Sequence, residues 1–163
     1  MVGLAGLAFN ASGHLFVSSY NANFILEFTP LGVGSVFATD PGDNSLLSQT
    51  YGLAFNGTGD LYATNYSNNT ISVFTPDGAG SLFASSGLNN PVGLAFDSAG
   101  YLYAVNNADS TVVRYDSLGA DSLYGTLTER GGSFIAIQSA PEPGTAALLG
   151  LGALLLAARR RRA

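Results

Sequence analysis

The chain has 163 residues, of which 47% are hydrophobic and 10% charged, and it contains neither cysteine nor lysine. Four of its six basic residues lie at the C-terminus, so residues 1–139 carry two arginines against ten carboxylates. This charge disfavours nucleic acid and anionic lipid as partners of the main part, and the lack of cysteine excludes disulfides and thiolate metal sites.

A tetrapeptide repeats three times along the chain. Gly6-Leu7-Ala8-Phe9 recurs from Gly52 and again from Gly93, at spacings of 46 and 41 residues. Self-similarity at this period is typical of propellers and other repeat arrays. A β-solenoid or a generic sandwich is the alternative, although sandwiches do not repeat a tetrapeptide.

Each repeat divides into four short predicted strands. The tetrapeptide strand is followed by a glycine turn, a second strand, a turn rich in Asn, Ser and Asp, a third strand, another glycine turn and a fourth strand. The glycines suit turns that need a left-handed backbone. In the first repeat the second, third and fourth strands are predicted at 15–18, 24–28 and 35–38. The corresponding strands are predicted at 61–64, 70–74 and 81–84 in the second repeat, and at 102–105, 111–115 and 122–125 in the third.

Four antiparallel strands in about 40 to 45 residues match the plan of a propeller blade. Residues 91–97, Pro-Val-Gly-Leu-Ala-Phe-Asp, resemble the NHL type of β-propeller repeat most closely. The resemblance implies an all-β fold of three four-stranded antiparallel blades, an open or partial propeller covering residues 1–138. The blades are expected at about 1–46, 47–88 and 89–127.

Three blades are fewer than the four to eight of closed propellers. Residues 132–137 are predicted as an extra strand, the innermost strand of a fourth blade, with nothing behind it. The chain also begins in the first repeat without the basic start of a secretory signal. We therefore expect a truncated product of a longer gene, and the alternative is a homodimer in which two sets of three blades pair.

The turns after the second strands are the predicted ligand loops. Equivalent loops of successive blades converge around the central channel, and aromatic, amide and hydroxyl groups suit sugars. The same residue types are also what tight turns require. The candidate ligand residues are Ser19, Tyr20, Asn65, Tyr66, Asn106 and Asn107.

No catalytic residue, metal site or cofactor is predicted. His14 is the single histidine and lies beside a glycine turn, which favours a solvated turn neighbour over a catalytic base. The scattered aspartates are accounted for by turns in which Asx side chains bind their own backbone. Glu27 and Glu129 are the glutamates of the repeat region, and neither lies in a first strand.

Residues 139–163 form a predicted membrane anchor. Pro141, Glu142 and Pro143 precede an apolar helix at 145–158, which ends at Arg159, Arg160, Arg161 and Arg162. Fourteen helical residues span only about 21 Å, but arginines can snorkel to extend that span. The positive-inside rule then places the tail in the cytoplasm and the repeats outside.

This order resembles the PEP-CTERM sorting signal of exopolysaccharide-producing Gram-negative bacteria. The resemblance implies export, anchoring in the inner membrane, cleavage near the Pro-Glu-Pro by an exosortase, and a final place at the cell surface or in the extracellular matrix. We expect a non-catalytic scaffold that binds exopolysaccharide or a surface protein. The alternative is an extracytoplasmic propeller enzyme similar to the lactonases and lyases, which need metal-binding carboxylates or a catalytic histidine in the channel.

Overall fold

The computed structural model describes residues 3–128 and Ile135. Twelve strands form three four-stranded antiparallel sheets, and sequence neighbours are also sheet neighbours, which confirms the predicted all-β fold of three blades. Blade 1 consists of β1 (Leu4–Phe9), β2 (Leu15–Ser19), β3 (Phe24–Phe28) and β4 (Gly34–Thr39). Blade 2 consists of β5 (Thr50–Phe55), β6 (Leu61–Asn65), β7 (Thr70–Phe74) and β8 (Gly80–Ala84). Blade 3 consists of β9 (Pro91–Phe96), β10 (Leu102–Asn106), β11 (Thr111–Tyr115) and β12 (Asp121–Thr126).

The predicted second, third and fourth strands lie within one residue of the observed ones. The turns agree as well, because the glycine between the first and second strands has a positive φ in each blade, from 78° at Gly13 to 93° at Gly59. An L side chain rarely adopts this conformation. In each blade the residue just before the third strand also has a positive φ. These residues are Asn23, Asn69 and Ser110.

Apolar residues from facing sheets form a core between each pair of blades. Phe16 and Ile25 of blade 1 pack with Leu53 and Leu61 of blade 2. The core between blades 2 and 3 is built from equivalent positions, including Ile71, Leu94, Leu102 and Tyr115. The sheets therefore stack face to face, with the first strand of each blade on the inner side of the arc.

Hydroxyl groups in the second strands link each blade to the next. The Ser18 hydroxyl accepts a hydrogen bond from the Gly6 amide and donates to the Tyr51 carbonyl, both at 2.7 Å. The Thr64 hydroxyl does the same for the Gly52 amide and the Val92 carbonyl, at 2.7 and 3.3 Å. The equivalent residue of blade 3 is Val105, which has no hydroxyl.

Blades 1 and 2 are joined by residues 40–49, a longer connection than residues 85–90 between blades 2 and 3. The Asp40 carboxylate organises it by accepting hydrogen bonds from the amides of Gly42 and Asn44 at 2.8 Å and of Leu46 and Leu47 at 3.1 Å. The longer connection accounts for the spacing of 46 residues between the first two repeats, compared with 41 between the next two.

Several sequence predictions lie outside the described residues. Of the predicted extra strand at 132–137, only Ile135 is described, and its side chain packs against Val92, Tyr103, Val105 and Val112 of blade 3. The predicted helix at 145–158 and its flanking motifs are not described either. Within residues 3–128 and 135, no helix is long and apolar enough to cross a membrane.

Candidate functional site

The ends of the second strands, where ligand residues were predicted, are buried. Asn65 is fully buried, and its amide is used within the protein. Its Oδ1 accepts from the Ser48 amide and the Thr50 hydroxyl, while its Nδ2 lies 2.9 to 3.0 Å from the Leu46 carbonyl and the hydroxyls of Thr70 and Ser72. Asn65 therefore holds the connection between blades 1 and 2 against blade 2.

Asn106 has the same role one blade later. Its Oδ1 accepts from the Asn89 amide at 3.0 Å, and its Nδ2 donates to the Gly87 carbonyl at 2.8 Å and the Thr111 hydroxyl at 2.9 Å. Ser19 in blade 1 is also fully buried and accepts a hydrogen bond from the Ala22 amide. The described contacts of these three predicted ligand residues are thus structural.

The tyrosines that follow the second strands are placed differently. Tyr20 and Tyr66 are half-buried and lie on either side of Tyr51, at ring-centroid distances of 4.9 and 5.4 Å. The three side chains make one continuous row at the end of the blades where the second strands end, and we call it the tyrosine row. Asn107, the equivalent of Tyr66 in blade 3, is half-buried, and its backbone N–H donates to the Asn90 carbonyl.

Sequence reasoning missed Tyr51, the centre of the row. It lies in the first strand β5, at a position that the other blades fill with Ala5 and Val92, so the repeat comparison carries no aromatic signal there. Burial, followed by the proximity of the Tyr20 and Tyr66 hydroxyls, raises the pKa of Tyr51 above its usual value. The phenol therefore stays protonated at neutral pH and remains a hydrogen-bond donor.

A cavity of about 400 Å³ runs along the first strands of the three blades. It is lined mainly by aliphatic side chains and by the backbone of Gly6, Gly52 and Gly93. Tyr51 lines this cavity and also belongs to the tyrosine row. The arrangement offers aromatic faces and phenol hydroxyls next to an apolar hollow, which suits a ligand with ring faces and hydroxyl groups.

His14 lies at the other end of β2 from Tyr20, about 20 Å away along the strand. It is half-buried rather than fully solvated, and its Nδ1 is 2.7 Å from Oε1 of Glu27. Among residues 3–128 and 135, no group of three His, Cys, Asp or Glu side chains is placed to hold a metal ion. Because His14 lies at the opposite end of β2, the His14–Glu27 pair is separate from the tyrosine row.

Comparison with known protein families identifies the C-terminal segment. Residues 139–162 match the PEP-CTERM protein-sorting motif. This match covers the predicted motif Pro141, Glu142 and Pro143 and the arginines from Arg159 to Arg162, all of which lie outside the described residues. The motif implies export and sorting to the surface by an exosortase. No curated protein matches the sequence.

Solved structures match the blades. Virginiamycin B lyase from Staphylococcus aureus superposes with a TM-score of 0.66 at 18% identity, over 81% of this chain and 44% of that one. A chain of a nidogen/laminin complex gives 0.68 at 18% identity, over 80% and 51%. A gluconolactonase from Xanthomonas campestris gives 0.65 at 18% identity, over 77% and 48%. The chain therefore has part of a propeller fold and spans about half the length of these structures.

Proposed function

We propose that the protein is a non-catalytic surface or extracellular-matrix scaffold that an exosortase processes and that binds polysaccharide through its tyrosine row. The sorting motif at residues 139–162 supports the route of delivery. The inner-membrane anchor belongs to the same proposal, with the apolar residues 145–158 in the membrane and Arg159 to Arg162 held in the cytoplasm. Cleavage near Pro141-Glu142-Pro143 then releases the blades outside.

The continuous row formed by Tyr20, Tyr51 and Tyr66 is the observation that carries the binding proposal. An aromatic face packs against the apolar face of a pyranose ring, and neighbouring phenols supply hydrogen bonds to its hydroxyls. The negative charge of the main part disfavours polyanions, so the expected ligand is a neutral polysaccharide. A surface protein with exposed apolar and hydroxyl groups is the other partner that this site suits.

Affinity electrophoresis tests the binding. The protein is run in gels that contain the exopolysaccharide extracted from the producing cells, and in gels without it. We expect Tyr51→Ala to weaken the retardation by roughly fivefold, since one aromatic contact contributes about 1 kcal/mol. Tyr101→Ala is the matched control, because Tyr101 is a partly exposed tyrosine that follows the glycine turn at the opposite end of blade 3. Equal retardation of both variants and the wild type would contradict the proposal.

A second candidate is an extracytoplasmic propeller enzyme of the lactonase or lyase type. It is favoured by the likeness of the blades to the virginiamycin B lyase and gluconolactonase structures. His14 beside Glu27 is a described pair with acid–base character. Metal analysis of the purified protein separates the two candidates: stoichiometric calcium or zinc, together with lactone or lyase turnover that His14→Gln abolishes, would favour the enzyme.

A further inference from the structure

The outer face of blade 1, the side of its sheet that points away from blade 2, exposes apolar residues whose equivalents are covered elsewhere. Leu7 is 65% exposed, whereas the equivalent residues Leu53 and Leu94 are each 7% exposed. Phe9 is 68% exposed, whereas its equivalents Phe55 and Phe96 are half-buried. In blades 2 and 3 the preceding blade covers these residues. The same apolar residues on blade 1 therefore form a surface on which another blade could pack.

The two internal junctions show what such a partner must present. At the first junction Phe16 and Phe37 of blade 1 pack edge-to-face, and Phe55 of blade 2 packs on Phe16, with both centroid distances at 4.9 Å. The second junction repeats this geometry and the same distances. There Tyr62 and Phe83 form the pair, and Phe96 is the third ring.

The far side of blade 3 carries the same aromatic pair. Tyr103 and Tyr124 meet edge-to-face with a centroid distance of 4.9 Å and an interplanar angle of 84°. No third ring completes this pair among the described residues, and Tyr124 is 64% exposed. Phe9 is the residue that occupies the third position in repeat register. Blade 1 thus exposes one half of such a junction. On blade 3 the Tyr124 ring is exposed, while Tyr103 beside it is 8% exposed and belongs to the cluster that Ile135 packs against.

We propose that a second copy of this chain binds head to tail, with blade 1 of each copy packed on blade 3 of the other. Phe9 of each copy then completes the Tyr103–Tyr124 pair of its partner. Two copies bring together six of the described blades, which falls within the four to eight blades of closed propellers, and a symmetric pair forms the same junction at both ends of the arc.

Two features of blade 3 make this junction weaker than the internal ones. Val105 stands where Ser18 and Thr64 provide the linking hydroxyl, so the junction is held by apolar and aromatic contacts. Ile135 packs against the inner part of the same face, at the place that Leu53 and Leu94 take at the internal junctions. Leu7 of the partner must displace it. We therefore expect a dimer that dissociates on dilution.

The mass of the full chain in detergent micelles, measured by size-exclusion chromatography with light scattering over a range of concentrations, tests the proposal. The wild type is expected to dimerise, and Phe9→Asp and Tyr124→Asp are each expected to be monomeric. Leu118→Asp is the matched control, since Leu118 is 90% exposed in the turn before β12 and away from both faces. Ile135→Ser removes the competitor and is expected to shift dimerisation to lower concentration.

Mixing the two disruptive variants distinguishes the head-to-tail geometry from other pairings. Phe9→Asp keeps an intact blade 3 face and Tyr124→Asp keeps an intact blade 1 face, so the mixture is expected to recover heterodimers that neither variant forms alone. A monomeric wild type, association that both substitutions leave unchanged, or dimers that depend on Phe9 but not on Tyr124 would each overturn the proposal. Circular dichroism of each variant establishes that a loss of dimer is not a loss of fold.

Discussion

The side chain of Thr64 joins blade 2 to blade 3 by donating a hydrogen bond to the main-chain carbonyl of Val92 at 3.3 Å, while it accepts one from the Gly52 amide. Thr64 is fully buried, so the two backbone groups lose a partner that solvent does not supply if the hydroxyl is removed. The blade stack is therefore stabilised by polar links inside an otherwise apolar junction, as well as by the packing of large side chains.

Thr64→Val tests this link because valine has nearly the same shape and lacks the hydroxyl. We expect a loss of about 1 to 3 kcal/mol, since the Gly52 amide and the Val92 carbonyl lose a buried partner. Thr64→Ser keeps the hydroxyl and is expected to lose less than Thr64→Val in urea unfolding. A valine variant as stable as the wild type would show that the link contributes nothing.

Gly52→Ala is expected to disrupt the junction of blades 2 and 3. An added Cβ would lie 2.4 Å from the Val92 carbonyl oxygen, which is main chain and cannot rotate away. The sheets must then move apart, with a cost of about 3 kcal/mol or more. Gly57→Ala is the matched control, because its Cβ meets nothing within 4 Å and its φ is not positive. Thermal melts that show the same midpoint for both variants would contradict the packing described for the inner strands.

Asp40 makes the stability of the blade 1–2 connection depend on pH. Burial alone would raise the pKa of its carboxyl, but the hydrogen bonds from four backbone amides outweigh it and hold the pKa below the ordinary value. A lowered pKa in the folded state stabilises the fold above the unfolded pKa, and this contribution is lost as the pH falls through the folded pKa. We therefore expect Asp40→Asn to be less stable than the wild type at pH 7 and closer to it at pH 3.

Urea unfolding at the two pH values measures this difference. Asp43→Asn serves as the control, because the Asp43 carboxylate accepts one described hydrogen bond, from the Ser45 amide, and lies in the same connection. A deficit of Asp40→Asn that is equally large at pH 3 would mean that the charge of the carboxylate is not responsible.

Ser110 combines an unfavourable backbone with an unpaired hydroxyl. Its φ is +60°, where the equivalent positions have asparagine, and its buried Oγ has no hydrogen-bond partner among the described residues. Ser110→Gly removes both costs and is expected to stabilise the protein by about 1 kcal/mol, a rise of a few degrees in the melting temperature. Ser117→Gly, in an exposed turn of the same blade, should bring no such gain. A lower melting temperature for Ser110→Gly would contradict this interpretation.

The fold could be predicted closely from the sequence because the repeat supplies three copies of one pattern. Turn glycines and alternating apolar residues act within a few residues of the chain. The strands and turns can therefore be predicted from each repeat separately, and the three predictions agree. The burial of the predicted ligand residues could not be predicted in this way, because it depends on contacts between distant parts of the chain. Asn65 and Asn106 look like turn residues in the sequence, but their amides bind the connection that arrives from the preceding blade.

Tyr51 could not be found in this way, since its importance comes from lying between Tyr20 and Tyr66 in space. The two neighbouring rings belong to residues 31 and 15 positions away in the chain, and the other blades have small or aliphatic residues at the position of Tyr51. The exposed face of blade 1 also needed the structure, because Phe9 and Phe55 are identical in local sequence and differ only in what covers them.

Fractionation of the producing cells tests the central claim, that the C-terminal motif delivers the blades to the outside. The wild-type protein is compared with a variant in which Pro141, Glu142 and Pro143 are all alanine, using an antibody against the blades. We expect the wild type at the cell surface or in the matrix as a product shorter than the full chain, and the variant uncleaved in the inner membrane. Full-length protein dissolved in the cytosol, in equal amount for both, would contradict the account.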